Sequence, residues 1–319
     1  MNHNKRYYTI ALTRNVPTTM SQALSTHQHT IPSSSVFSLS KAIEQHNTYV
    51  STLRSIIPTF TLPAEDTYPD CSFIEDTAIV IGNRALITQL GATSRRGEVN
   101  PIHLFLESFG MNVTTMKSWN PIQKDHALSS SSSSSSSDNI DNDDVNLEIP
   151  TCDGGDVLCP IQNNHTYKKD LFVGVSHRTN PLGLHVIQQV FYDLNVIPVP
   201  VLPEETKCLH LKSFMTLLDE NTLLIPKGNI FDFIIEEIQV LQRGYKVIRL
   251  PNPRACNVVH IHKHILAPFH ENEEEEEEES RMILQTACKE RGLTLHGIDT
   301  SEFEKFDSAM TCKSLLLSL

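Results

Sequence analysis

The segment Pro69-Asp70-Cys71-Ser72-Phe73-Ile74-Glu75-Asp76 places three carboxylates within seven residues. The apolar, β-branched run Ala78-Ile79-Val80-Ile81 follows and ends at Gly82-Asn83, which indicates a buried strand and a turn. Carboxylates this close repel one another, so a cationic partner is needed to hold them at a strand entrance. A solvated acidic loop is the alternative, but Cys71 and Phe73 are interleaved with the acids. We therefore predict an acidic pocket for a cationic substrate.

One arrangement recurs along the chain, in which a polar motif leads into a strand, a turn, a second strand, a helix and a third strand. The motifs lie near Glu75, Asp153, His210, Asn257 and Thr311. The last repeat lacks its second half, which a strand at 7–13 and a helix at 39–57 would supply. A ring closed by pairing of the two chain ends explains this arrangement and leaves no open sheet edge.

In such a ring the polar motifs converge on one axis. The residues expected at the centre are Glu75, Asp76, Asp153, His210 and Cys312. A histidine near Cys312 could stabilise its thiolate and move protons, which makes this cysteine a candidate nucleophile. A buried inert cysteine and a hydrogen-bonded core histidine are the alternatives, and only the convergence separates the two interpretations.

Two arginines, Arg95 and Arg178, each lie in a loop before a predicted helix. A guanidinium there could bind a substrate carboxylate with two hydrogen bonds, whereas a surface arginine in a first helical turn would look the same. The pair Gly154-Gly155 could suggest a phosphate-binding loop, but carboxylates on both sides favour a tight turn.

Alternation of His260, His262 and His264 places them on one strand face and allows a metal site there. No acidic or cysteine partner lies nearby in the sequence, which argues against that site.

The composition restricts the class of protein. The chain has 319 residues, a net charge of -12 and seven cysteines. The negative charge argues against nucleic acid as a partner, and no run reaches the ~18 apolar residues of a membrane span. An odd number of scattered cysteines and an N-terminus without an apolar signal segment predict free thiols and a cytoplasmic location.

We expect one catalytic domain over residues 1–319. Two biased segments interrupt it, a Ser/Asp run at 129–144 and an acidic Glu run at 271–279. We interpret the first as a disordered insertion and the second as a solvated one.

The motifs together resemble the dimethylarginine dimethylaminohydrolases. The resemblance rests on the 69–76 segment, Ser94-Arg95-Arg96, the 153–158 segment, Ser176-His177-Arg178-Thr179-Asn180, Leu209-His210-Leu211-Lys212-Ser213 and Thr311-Cys312. It covers nearly the whole chain except the Ser and Glu runs. It implies a five-bladed α/β-propeller, in agreement with the ring, and hydrolysis of asymmetric dimethylarginine or monomethylarginine to citrulline and an amine.

The resemblance also implies roles for individual residues. Cys312 matches the nucleophile that attacks the guanidinium carbon, and His210 matches the acid that protonates the leaving amine and then activates water. The positions that match substrate contacts are Leu24, Asp70, Glu75, Asp76, Arg95, Arg178 and Phe306, with Leu24 on a lid loop. We expect Asp153 and Asp156 to support these residues rather than contact substrate. No cofactor or metal is expected, although Zn²⁺ could act as an inhibitor; the oligomeric state is left open.

The sequence departs from the family at a few positions. Lys313 replaces a second cysteine that members often have after the nucleophile, and it could either favour the thiolate or face solvent. The lid residues Thr18-Thr19-Met20 replace an acidic stretch. Two rival functions stay open, an arginine deiminase and a non-catalytic protein that binds arginine analogues. The 69–71 and 209–213 motifs favour the methylarginine branch.

Overall fold

The computed structural model describes residues 8–25, 36–119, 149–159, 169–270 and 274–318. The predicted Ser/Asp run at 129–144 lies outside these residues, as does part of the predicted lid loop at 26–35. Among the described helices, none combines the length and the apolar character that a bilayer crossing needs.

The described strands are short and number fifteen. They are β1 (Ile10–Arg14), β2 (Thr59–Leu62), β3 (Ala78–Ile81), β4 (Arg84–Ile87), β5 (Asn112–Thr115), β6 (Val157–Leu158), β7 (Asp170–Val175), β8 (Asn195–Pro200), β9 (Thr216–Asp219), β10 (Thr222–Pro226), β11 (Lys246–Leu250), β12 (Val259–Ile261), β13 (His264–Pro268), β14 (Thr294–Ile298) and β15 (Leu315–Leu317). The α-helices are α1 (Leu39–Ile56), α2 (Val99–Ser108), α3 (Pro181–Val190), α4 (Pro203–Thr206), α5 (Asn229–Glu237), α6 (Glu275–Glu290) and α7 (Ser301–Glu304).

These strands form five three-stranded sheets with one repeated topology. In each sheet the first strand pairs antiparallel with the second, and the second pairs parallel with the third. A helix lies between the two parallel strands, because a parallel connection must cross the sheet. The five-bladed α/β-propeller predicted from the sequence is confirmed.

The two chain ends share one blade, with strand order β15-β1-β2. Ile10 pairs with Leu317 and Leu12 with Leu315, as ring closure by the chain ends predicts. The sequence interpretation missed β2, which supplies the third strand and pairs parallel with β1. Its residues, Thr59-Phe60-Thr61-Leu62, alternate polar and apolar side chains, but the segment is only four residues long and all of it is half-buried or exposed, so the periodic signal was weak.

A short 3-10 turn precedes the first strand of every blade, and we name these five the opening turns. They are Ile74–Thr77, Gly154–Asp156, Leu211–Ser213, Pro253–Cys256 and Thr311–Lys313. The first contacts both the second and the fifth, and the third contacts both the second and the fourth. The polar motifs of the sequence therefore meet at one end of the blades, as predicted.

The acidic run at 271–279 is not a separate insertion where the structure describes it. Glu275–Glu279 form the beginning of α6, six residues earlier than the helix predicted from 281. Glu274 caps the helix reciprocally with Glu277, and carboxylates at a helix N-terminus are stabilised by the helix dipole. Most of these side chains are exposed, so the run is solvated but helical.

The prediction that three alternating histidines share one strand face is wrong. His260 lies on β12 and His264 on β13, while His262 lies in the hairpin turn between them with a φ of 55°. His260 Nε2 contacts the His262 carbonyl at 2.8 Å, and His264 Nδ1 contacts His296 Nε2 at 2.9 Å. The turn separates the imidazoles, and no metal-ligand group of the described residues includes them.

Candidate active site

His210 is a buried histidine held by an acidic neighbour. It precedes the third opening turn, and its Nε2 lies 3.1 Å from Asp153 Oδ2. The other oxygen of Asp153 accepts the Gly91 N–H at 2.9 Å, which fixes the carboxylate. Burial alone lowers the pKa of His210, but the charge of Asp76 and the hydrogen bond from Asp153 raise the pKa to about 9. The imidazole is therefore protonated at neutral pH and can donate a proton.

Asp76 lies in the first opening turn and holds both of its oxygens in hydrogen bonds. Oδ1 accepts the Gly155 N–H at 3.0 Å, and Oδ2 accepts Arg95 Nη1 at 2.8 Å. Burial raises its pKa, but the charges of His210 and Arg95 outweigh burial, and the net shift is downward. The carboxylate is thus ionised beside the imidazolium.

The glycine pair allows two opening turns to approach each other closely. A Cβ on Gly154 would lie 2.1 Å from the Glu75 carbonyl oxygen. A Cβ on Gly155 would lie 2.8 Å from His210 Nδ1 and 2.9 Å from Asp76 Oδ1. The predicted tight turn is present, and close packing around the imidazole is the reason that glycine is needed there.

Glu75 is buried and forms an ion pair that the sequence did not predict. Its Oε1 lies 2.5 Å from Lys212 Nζ, and its Oε2 accepts the Thr311 hydroxyl at 2.7 Å. Asn257 links the same groups, because its amide donates to the Lys212 carbonyl and accepts the Thr311 N–H. Burial raises the pKa of Glu75, and the nearby Lys212 ammonium opposes that shift. This network ties four opening turns together around the carboxylate.

Cys312 lies in the fifth opening turn and is 8% exposed. Burial, followed by the charges of Glu75 and Asp76, raises the pKa of its thiol to about 12. The Ala309 N–H and the Ser308 hydroxyl oppose this shift. The resting thiol is therefore neutral, and a cation placed between the carboxylates and the sulfur would favour the thiolate.

Arg95 contacts protein carboxylates rather than an open pocket. Its Nε and Nη2 donate to Glu98, and its Nη1 donates to Asp76. Glu98 was not predicted as part of the site, although it lies three residues after Arg95. Burial raises the pKa of Glu98 to about 7, with the Arg95 charge opposing. The structure thus gives Arg95 a supporting contact to Asp76, and its contact with a substrate carboxylate stays a prediction.

Arg178 is half-buried, and no hydrogen bond or ion pair among the described residues occupies its guanidinium. Its backbone is fixed, since its N–H donates to Ser176 Oγ at 3.0 Å. A Cβ on Gly91 would lie 2.7 Å from the Cα of Arg178, so the two loops pack closely. Of the two predicted arginines, Arg178 is the one whose charge is available to a ligand.

Asp156 supports the loop that carries Arg178 and the turn that carries His210. Its Oδ2 accepts the hydroxyls of Ser176 at 2.6 Å and Thr179 at 2.7 Å. Its Oδ1 accepts the Leu211 N–H at 2.9 Å. Three donors thus converge on one fully buried carboxylate. The role of Asp156 in supporting the substrate-binding residues stays a prediction.

The predicted lid residue meets a predicted binding carboxylate. The Leu24 N–H donates to Asp70 Oδ1 at 3.1 Å, and the Leu24 side chain is 38% exposed. Burial raises the pKa of Asp70, with the Arg95 charge opposing. Phe306 is buried and packs edge-on against Phe37 with ring centroids 5.1 Å apart. Phe306 and Cys312 belong to one apolar cluster, which also includes Ala23, the residue before Leu24.

The side chains of Asp76, Asp153 and His210 have ligand atoms within 4.8 Å of one another. A metal could in principle use such a group, but Arg95 and the Gly155 and Gly91 amides already bind the carboxylate oxygens. A guanidinium within hydrogen-bond distance would repel a divalent cation. The three side chains are therefore better explained as two carboxylates that hold a protonated imidazole than as the ligands of a metal ion.

No family model matches the sequence. The N(G),N(G)-dimethylarginine dimethylaminohydrolase of Pseudomonas aeruginosa is 26% identical over 284 residues, which cover 86% of this chain and 88% of that protein. A solved structure of the P. aeruginosa protein, a cysteine-to-serine mutant complexed with citrulline, has a TM-score of 0.73 at 22% identity and covers 98% of this chain and 100% of that one. The chain is a homologue of the dimethylarginine dimethylaminohydrolases.

A second kind of protein shares the fold. The N-terminal domain of ArgZ, an arginine dihydrolase from cyanobacteria, was solved bound to its substrate and has a TM-score of 0.69 at 15% identity, covering 97% of this chain and 98% of that one. The pentein fold that this chain shares with the dimethylarginine dimethylaminohydrolases thus also serves an arginine dihydrolase.

Proposed function

We propose that this protein hydrolyses N-methylated arginines, asymmetric dimethylarginine or monomethylarginine, to citrulline and dimethylamine or methylamine. A hydrolase that acts on amidino groups is the class that its homologues support. The observation that carries the proposal is the buried His210, held by Asp153 at 3.1 Å, with Asp76 in the opening turn that contacts the turn of Cys312. The charge of Asp76 and the hydrogen bond to Asp153 raise the pKa of His210 to about 9. A cationic guanidinium suits this acidic centre.

In the first half of the proposed reaction, the Cys312 sulfur attacks the guanidinium carbon. A C–S bond forms, the bond from carbon to the methylated nitrogen breaks, and His210 gives its proton to the leaving amine. The thiol proton leaves to solvent when the thiolate forms, and the proton that the amine gains is the one that His210 loses. Asp76 and Glu75 stabilise the cation in the substrate and in the thiouronium that follows.

In the second half, water attacks the thiouronium carbon. The neutral His210 takes a proton from this water, the C–S bond breaks, and citrulline and the thiol are released. Asp153 holds the imidazole of His210 in one orientation through both halves. The imidazole can therefore act first as the acid and then as the base without moving. The reaction uses only side chains of this chain, and we propose no cofactor.

Substrate orientation is assigned to the two groups at the edge of the site. The unoccupied guanidinium of Arg178 suits the substrate α-carboxylate, because arginine binds carboxylates with paired hydrogen bonds. Asp70, beside the lid residue Leu24, carries the complementary negative charge for the substrate amine. The side-chain guanidinium of the substrate then points toward Asp76 and Cys312.

We expect Arg178→Met to raise KM for asymmetric dimethylarginine by about 10- to 100-fold with little change in kcat, because one charge-assisted carboxylate contact is lost. Steady-state kinetics with Arg54→Met as the matched control would measure this. Arg54 is exposed on α1, so its replacement should leave KM unchanged. An unchanged KM in Arg178→Met would remove Arg178 from the binding site.

The test of the function is product release from asymmetric dimethylarginine, monomethylarginine and arginine, measured in buffer with EDTA for the wild type and Cys312→Ser. We expect citrulline with dimethylamine or methylamine from the first two, and none from the variant. Citrulline and ammonia from arginine alone would assign a deiminase instead. No turnover of any substrate by a folded sample would favour a binding protein without catalysis.

A further inference from the structure

Of the five polar motifs predicted from the sequence, the one at Asn257 has no role in the proposed reaction. Asn257 directly follows the fourth opening turn and is 1% exposed. Its N–H donates to the Arg254 carbonyl at 3.0 Å, and the next N–H, that of Val258, donates to Thr216 Oγ1 at 3.3 Å. The backbone is therefore fixed on both sides. Because the side chain carries no charge, it can act on the site only through its hydrogen bonds.

The Asn257 amide makes its hydrogen bonds in one orientation only. Its Nδ2 donates to the Lys212 carbonyl at 2.6 Å and to Thr311 Oγ1 at 3.2 Å, and its Oδ1 accepts the Thr311 N–H at 2.9 Å. Exchanging the amide nitrogen and oxygen would place two acceptors together at Lys212 and two donors together at Thr311. Asn257 therefore holds both the backbone N–H and the hydroxyl of the residue before Cys312.

The hydroxyl of Thr311 passes this orientation on to Glu75. A hydroxyl has one proton to donate, and Thr311 cannot give it to the Asn257 Nδ2, which is itself a donor. The proton is therefore directed to Glu75 Oε2, which lies 2.7 Å away. Burial raises the pKa of Glu75, whereas Lys212 and then the hydrogen bond from Thr311 lower it. Donation by Thr311 thus helps to keep the carboxylate charged.

The fifth opening turn is also anchored after the sulfur. The Lys313 side chain is completely buried, with its Nζ 4.8 Å from the Phe303 ring centroid and 5.0 Å from the Tyr49 ring centroid. Of the two alternatives that the sequence left for Lys313, facing solvent is therefore wrong. The Tyr49 hydroxyl is bonded to Ser314 Oγ at 2.7 Å. Helix α1 thus holds the residues after the sulfur, and Asn257 holds the residue before it.

We propose that Asn257 is a positioning residue that acts through Thr311. It directs the Thr311 hydroxyl to Glu75, and it fixes the backbone that carries the Cys312 sulfur. The inference rests on the proposed function, since it concerns the same carboxylate and the same nucleophile. Asn257 acts without contact with the reacting atoms, so its removal should change how they are placed and not which groups react.

The first test is the titration of Glu75 without substrate, followed by carbon-13 NMR of protein labelled at the glutamate Cδ and assigned by loss of the signal in Glu75→Gln. We expect Asn257→Ala and Thr311→Val each to raise the titration midpoint by about one unit, because one hydrogen bond to the ionised carboxylate is lost. The double variant should show about one unit and not two, because both changes remove the same bond. An unchanged midpoint in Asn257→Ala, or additive shifts, would overturn the proposal.

Other titratable groups also influence Glu75, and they stay in place in these variants. They are Lys212, Asp76, Cys312, Tyr8 and Tyr49. Among the described residues, the Asn257 side chain is hydrogen-bonded to none of their side chains. The comparison with the double variant separates the path through the Thr311 hydroxyl from any movement of the Lys212 backbone.

The second test is turnover of asymmetric dimethylarginine at pH 8. We expect kcat of Asn257→Ala to be about 10- to 100-fold lower with a smaller change in KM, because a misplaced nucleophile slows the chemical step. Asn252→Asp is the matched control in the same turn. Asn252 is half-buried, and a carboxylate there keeps the hydrogen bond that its Oδ1 accepts from the Arg254 N–H at 2.8 Å. This control should keep wild-type kcat and KM, and wild-type kcat in Asn257→Ala would overturn the proposal.

Asn257→Asp provides a second variant in case the alanine variant does not fold. It keeps the acceptor for the Thr311 N–H, loses both amide donors and adds a negative charge, so it should also raise the Glu75 midpoint. Circular dichroism and thermal unfolding establish that each variant is folded, and an unchanged midpoint in either one would overturn the proposal. Because the titration uses no substrate, a protein that turns over no methylarginine but shows the non-additive shift would fail the proposed function alone.

Discussion

His210→Gln is expected to lower kcat for asymmetric dimethylarginine by about 10²- to 10⁴-fold, the contribution of a positioned general acid and base. Glutamine retains a hydrogen bond to Asp153 but cannot give a proton to the leaving amine or take one from water. Because His210 makes no contact with the substrate carboxylate in the proposed arrangement, KM should change much less. Steady-state and single-turnover kinetics would measure both constants.

His185→Gln is the control for this variant, because His185 is an exposed histidine on α3. It should keep wild-type kcat. A His210→Gln enzyme with more than about a tenth of wild-type kcat would contradict the assignment, since general acid–base catalysis contributes at least about 10²-fold.

The pH dependence follows from the same residue. With a pKa raised from 6.5 to about 9, His210 is a proton donor below pH 9, so the wild-type kcat should fall as pH rises through 9. The stability contribution has the same sign: protonation of folded His210 stabilises the protein fully below pH 6.5 and is lost as pH rises from 6.5 to 9. Urea unfolding across this range should show the loss in wild type and not in His210→Gln.

Asp156→Ala is expected to reduce the free energy of unfolding by about 3–5 kcal/mol, because two hydroxyls and one backbone N–H lose a buried acceptor. The same change should raise KM, since the loop of Arg178 is fixed through Ser176 and Thr179 to this carboxylate. Urea denaturation and steady-state kinetics would measure the two effects.

Asp193→Ala is the matched control, because Asp193 pairs with Arg84 at the surface with its side chain 48% exposed. Exposed ion pairs contribute about 0–1 kcal/mol, so this variant should unfold close to wild type. Equal stability of the two alanine variants would show that the hydrogen bonds to Asp156 contribute little.

The sequence predicted the five-bladed fold because its signals are local. Each opening turn has polar residues directly before a short apolar strand, and five such transitions sufficed to predict five blades. The closure by β15 and β1 followed from the incomplete last repeat. The strand β2 was missed because its polar/apolar alternation extends over only four residues and gives a weak signal.

The remaining differences arise from long-range contacts. The sequence shows that Arg95 and Glu98 are three residues apart. It does not show that Arg95 pairs with both Glu98 and Asp76, because that depends on how two segments of the first blade pack. Lys313 looks like a surface lysine in the sequence, and its burial depends on α1 and α7 meeting above the fifth opening turn. The Glu run suggested a solvated insertion, whereas capping at Glu274 stabilises a helix there.

The blade shared by the chain ends also has a kinetic consequence. Thr9 and Leu317, which are bonded there, are 308 positions apart in the sequence. Contacts of such long range form late in folding, because the loop they close carries a large entropic penalty. Cys312 lies in the turn directly before β15, so the sulfur reaches its final surroundings only when this pairing forms. In a refolding experiment, the moment at which Cys312 acquires its native reactivity therefore marks completion of the ring.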